Sequence, residues 1–134
     1  MILHILALVA LAAGPVVTTV ARGSMSAITE PREVVVRSSA EWNALWKEHG
    51  STQPLPAVDF SKELVAAVFL GSRPTGGFSV EVVGARIEGD ALIVEYVEQR
   101  PGRDSIVTQM LTSPFHIVKL PAHKGSVRFQ AVRP

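Results

Sequence analysis

Four histidines, scattered serines and acids, and no cysteine are what this 134-residue sequence offers for chemistry. Without cysteine there is no disulfide, thiolate metal site, cysteine nucleophile or lipidated N-terminal cysteine. A Ser-His-acid relay would draw on Ser113 or Ser79, on His116, and on Asp59 or Asp104. However, no G-x-S-x-G elbow is present, and a serine and histidine this close along a strand rarely face each other. The weight therefore falls on a His116 that is hydrogen-bonded in the core or at a sheet edge. His4 belongs to the apolar N-terminus, His49 to the last turn of a helix, and His123 to a loop after Pro121. No H-x-x-x-H, H-E-x-x-H or acidic calcium loop occurs, so neither a metal nor a cofactor is expected. Thr75-Gly76-Gly77 is not a phosphate loop, because no G-K-[ST] follows it.

Binding is the better prospect. In Leu70-Gly71-Ser72-Arg73-Pro74-Thr75-Gly76-Gly77-Phe78 an apolar run stops and a corner follows before alternation resumes. Pro74 fixes one backbone angle, and Gly76 and Gly77 accept positive φ. Arg73, Thr75 and Phe78 on this corner would present donors around an aromatic ring. Arg100, Arg103 and Gln109 on a second loop, with Ser113 and His116 beyond it, complete the candidate surface. The plainer alternative is a corner made by glycines and carrying solvated arginines.

The elements that would carry these loops are predicted in chain order. Val34-Val35-Val36 reads as a short strand. Ser38-Ser39-Ala40-Glu41 has the form of a capping box, opening a helix through Trp42, Leu45, Trp46 and His49 that ends at Gly50. Both tryptophans fall on one face, which favours a helix clamped to a sheet over an aromatic binding platform. Asp59 reads as a structural turn acid. Leu64 to Leu70 is continuously apolar and predicts a central strand buried on both faces. Phe78 to Ile87 and Leu92 to Glu98 form a hairpin around Glu88-Gly89-Asp90. Ile106 to Met110, Phe115 to Leu120 and Val127 to Val132 are further strand candidates. The expected fold is α+β: a mainly antiparallel sheet of about five to seven strands in meander order, with one amphipathic helix packed on it.

A formal charge of +1 gives no support for nucleic acid. Residues 1–21 hold no Asp, Glu, Lys or Arg and read as a signal peptide, with small-x-small sites at Ala10-Leu11-Ala12 and Thr19-Val20-Ala21. No basic residue precedes the apolar run, so an uncleaved N-terminal anchor is the alternative, and it would be the only route to a membrane. Either predicts an exported domain, periplasmic or secreted. Residues 22–32 read as a polar linker that frays or tethers, and residues 33–134 as the domain.

Arg73-Pro74-Thr75-Gly76-Gly77-Phe78-Ser79-Val80, Asp59-Phe60-Ser61 and Thr112-Ser113-Pro114-Phe115-His116 together resemble the PrcB C-terminal domain family. Ser39-Ala40-Glu41-Trp42 with Leu45-Trp46 fits the same pattern, so the resemblance spans roughly 33–130. It implies an exported domain named for an accessory protein of a secreted subtilisin-like protease complex, with no agreed catalytic residues to carry over. The expected role is a non-catalytic interaction module that stabilises or restrains a secreted protease or another envelope protein. The alternatives are a small hydrolase or ligand-binding domain using His116 and Ser113, and a structural envelope protein with no specific ligand.

Overall fold

The structure is a computed structural model, and it describes residues 14–134. Seven strands and one helix follow in the order β1 (Thr18–Gly23), β2 (Arg32–Val36), α1 (Ser39–His49), β3 (Glu63–Phe69), β4 (Ser79–Glu88), β5 (Ala91–Gln99), β6 (Phe115–Pro121) and β7 (Val127–Ala131). Four strands form one sheet in the order β1-β6-β3-β2, and three form another in the order β4-β5-β7. All neighbours are antiparallel except β5 and β7. The fold is α+β and mainly β.

β3 explains the layering. Its side chains alternate between two apolar environments, as period-2 geometry requires. Val65, Ala67 and Phe69 face α1 with Val36, Phe115 and Ile117. Leu64, Ala66, Val68 and Leu70 face the second sheet with Val80, Val82, Leu92, Val94, Val118 and Leu120. The strand is thus interior in its sheet and buried on both faces, as its uninterrupted apolar run predicts. The three layers are helix, four-stranded sheet and three-stranded sheet.

α1 starts and stops where its sequence says it should. Ser38 caps it by accepting from Glu41 N at 3.2 Å, and Glu41 reaches back to the Arg37 N–H at 3.0 Å. Gly50 closes it with φ +77°. Trp42, Leu45, Trp46 and His49 are all buried, and the two indoles donate to Pro56 O and Gln53 O, fastening the loop that follows. Ser38→Ala removes one cap bond and is expected to cost about 1 kcal/mol in a thermal or urea unfolding curve. The hairpin also forms as expected, with Gly89 at φ +61° between Glu88 and Ala91, which pair across the strands. A bulge between Val82 and Gly84 accounts for the imperfect alternation of β4.

Three expectations need correction. Ile106 to Met110 forms no strand, because among the described residues its backbone is tied to the neighbouring corner by the single Gly76 N–Thr108 O bond, too little for a ladder. The meander order fails as well: β6 joins β3 in the other sheet, and β7 returns to lie parallel to β5. Finally, residues 22–32 are part of the packed body. Arg22 and Gly23 finish β1, Ile28 is only 3% exposed, Ser26 N and Ala27 N donate to Ser113 O and His49 O, and Thr29 O accepts from Ser72 N. The bonds fall irregularly along the chain, so no periodicity announces them. Residues 1–13, the bulk of the expected signal or anchor, lie outside the described residues, but Thr18 to Ala21 lie in β1.

Candidate functional site

The corner after β3 is built by backbone geometry. Gly71 has φ +81°, and Gly77 has φ +88°. A Cβ at 77 would come within 2.8 Å of both Pro101 Cβ and Val107 Cγ1, so the second loop packs directly on this glycine. Gly76 N donates to Thr108 O at 2.8 Å, and Arg73 and Thr112 exchange N–H···O bonds of 2.8 and 2.9 Å. Thr112 Oγ1 adds a bond to Thr75 O at 2.9 Å. The two loops, residues 71–78 and 100–112, therefore form one surface. Gly77→Ala would combine a left-handed backbone with a clash, and is expected to cost about 1–3 kcal/mol. The same variant should speed hydrogen exchange at the Gly76 amide.

Electrostatics join the loops a second time. Glu98 at the end of β5 receives Arg73 Nε at 3.1 Å and stands 3.7 Å from Arg100 Nε. Arg73 also donates to Leu70 O and Ser72 O, and its guanidinium lies 5.8 Å from the centre of the Phe78 ring. Arg73 is a brace of the corner more than a free donor. Thr75 is likewise committed, its hydroxyl donating to Gly76 O at 2.9 Å. Arg100 remains largely exposed, Arg103 is exposed, and Gln109 reaches only Val107 O at 3.4 Å. Arg73 and Glu98 also line a cleft of about 340 Å³ between the sheets with Arg32, Glu33 and Tyr96. There the Tyr96 hydroxyl donates to Glu33 at 2.7 Å, and burial together with that carboxylate pushes its pKa up to about 12.

Ser113 and His116 do not belong to this surface. Ser113 is buried, with its N–H on Ser24 O and its carbonyl on Ser26 N. His116 lies 3% exposed between the sheets, where its Nδ1 accepts the Val82 N–H at 2.8 Å. The proton is thereby placed on Nε2, which donates to Thr19 Oγ1 at 2.8 Å. Burial and the nearby Arg22 guanidinium lower its pKa to about 4, against a smaller opposing pull from Glu81. Neither ring nitrogen is left to activate Ser113, so the two residues make no nucleophile–base pair. His49 is held in the same manner, with Nδ1 2.8 Å from Ser26 Oγ and its ring against Trp46, Phe69 and Phe115. Among the described residues no three His, Asp or Glu side chains cluster as a metal site.

The residues that sequence reasoning missed are apolar. Of the exposed large hydrophobic side chains among the described residues, half lie at the loop end of the molecule, Met25, Ile106, Met110 and Leu111, with Ile106 wholly in solvent; the others are Val16, Leu55, Val83 and Ile87. Met25 reaches this end because it pairs in a parallel bridge with Ser113, next to the Arg73–Thr112 bridge. The available signal was a β-forming Ile-Val-Thr run placed inside a loop otherwise rich in Pro, Gly and charge.

Among known proteins, a family model described as PrcB C-terminal matches residues 64–121, from the start of β3 through both loops to the end of β6. No curated protein and no solved structure matches the chain.

Proposed function

Taking residues 64–121 as a PrcB C-terminal domain, we propose that this chain is an exported, non-catalytic interaction module. Its partner is a protein of the cell envelope or a secreted protease, which it stabilises or restrains. The observation that carries this reading is the joined loop surface, where two loops on a rigid double sheet expose Ile106, Met110 and Leu111 beside Arg100 and Arg103. Exposed apolar side chains with arginine beside them are the chemistry of a protein interface. Methionines let such a surface adapt to its partner. The surface lies wholly within the matched segment except for Met25.

The test is co-purification of the full chain, leader included, from its native host with a C-terminal tag. Ile106→Asp and Leu111→Asp serve as paired variants. Both side chains are exposed, so each variant should keep the parental unfolding curve within about 0.5 kcal/mol. A partner recovered with the parent and lost from both variants is the expected result. A partner retained by both would move the interface elsewhere.

A further inference from the structure

The loop end carries a feature that exposure alone does not explain. Ile106-Val107-Thr108 has the composition of a strand, yet among the described residues its backbone is bonded to another segment only at the corner, through Gly76 N. From Ile106 to Leu111 no backbone N–H donates to an acceptor among the described residues. Of the carbonyls in that stretch, Thr108 O receives Gly76 N and Val107 O receives only the Gln109 side chain. The inner side is anchored antiparallel to the corner by the Gly76–Thr108 and Arg73–Thr112 bonds, with Val107 turned in against Gly77. Outside stand unpaired peptide groups flanked by exposed Ile106, Met110 and Leu111. An apolar edge with its main chain open is a template for another strand.

We propose that residues 106–111 take up an extended segment of the partner protein by strand addition. This rests on the interaction-module reading and gives it a mode. Main-chain hydrogen bonds would supply affinity, and alternate apolar side chains of the incoming segment would lie against Ile106 and Met110. Arg73, Arg100 and Arg103 outnumber Glu98 and Asp104 at this end, and Arg103 has no ion pair among the described residues. The incoming segment is therefore one with acidic residues at its ends. Two copies of this positively charged end would repel each other, which favours such a segment over self-pairing.

The probe is a labelled, capped peptide, acetyl-EVTVTVE-amide, titrated onto the full chain. Saturable binding is expected, together with slowed hydrogen exchange at the amides of Ile106 to Leu111. N-methylation of alternate peptide amides should weaken binding by at least about tenfold, since it removes main-chain donors and leaves side-chain character largely intact. Absence of saturable binding would overturn the proposal. So would equal binding of the N-methylated peptide, protection that maps elsewhere, or a dimer in sedimentation that already covers this edge. Should the peptide fail while Ile106→Asp still abolishes partner recovery, strand addition falls and the interaction module stands. If the native partner is also indifferent to Ile106→Asp and Leu111→Asp, strand addition falls and the interface lies elsewhere on the module, whereas recovery of no specific partner would overturn the module itself.

Discussion

A chain that begins at Arg22 is expected not to fold, while one that begins at Gly14 is expected to match the full chain. The difference is β1. Thr18 to Ala21 pair with Lys119, Val118 and Ile117 of β6, and Val17, Val20 and Ala21 pack on the two cores. Their removal turns β6 from an interior strand into an edge, opens the core beside Ile117, and takes Thr19 from His116. Loss of four of the six residues of β1 and their packing is on the order of the entire folding margin of a small domain, about 5–15 kcal/mol. Far-ultraviolet circular dichroism and amide spectra of the two chains would separate the outcomes. A folded chain starting at Arg22 would show β1 to be dispensable. The same strand bears on the two processing sites: if a leader is removed in the host, the cut is expected after Ala10-Leu11-Ala12, because one after Thr19-Val20-Ala21 would bisect β1. Intact mass of the native-host protein reads this directly.

The second large effect is expected from acid. His116 is held neutral, with its pKa lowered to about 4 chiefly by burial, whereas in the unfolded chain it titrates near 6.5. Between those values the unfolded chain binds a proton that the folded chain refuses. The stabilisation is therefore complete above about pH 6.5 and is lost as pH falls towards 4. The separation corresponds to about 3 kcal/mol. His49, also lowered by burial, acts in the same direction. The hydrogen-bond geometry agrees: a proton on Nδ1 would turn that atom from the acceptor of the Val82 N–H into a donor facing it. Urea unfolding at intervals from about pH 7.5 to about pH 4, with His116→Gln as comparison, measures the effect. The parent should lose more stability than the variant across this window. Parallel slopes would mean that His116 titrates normally in the folded protein.

What could be read from the sequence was local, and what could not be read was distant. The capping box and the 3.6-residue spacing of Trp42, Leu45, Trp46 and His49 announce α1 without reference to anything else. The apolar run of β3 and the Gly89 turn do the same for their elements. β1 is hidden because Thr18 to Ala21 continue the uncharged composition of the residues before them. The parallel return of β7 to β5 is set by packing between layers, to which alternation along one strand is blind. Within the site, the corner is visible in its glycines, but its union with the second loop is not. That union depends on Thr108 meeting Gly76 across more than thirty intervening positions of the chain. His116 looked chemically interesting for a sound reason, as a histidine in an apolar strand. Its actual partners lie 34 and 97 positions away, where no spacing rule reaches.

The pairing of β1 with β6 also sets a clock on folding. Thr19 meets His116 across 97 positions, so β1 leaves the ribosome long before the strand it pairs with. At translation rates of about 5–20 residues per second, that interval is roughly 5–20 s. During it β6 is missing from between β1 and β3, and the four-stranded sheet cannot close. Long-range closure of this kind slows folding further once the chain is free. The nascent protein thus stays open for seconds, long enough for a chaperone or a translocation pore to engage it before the sheet locks.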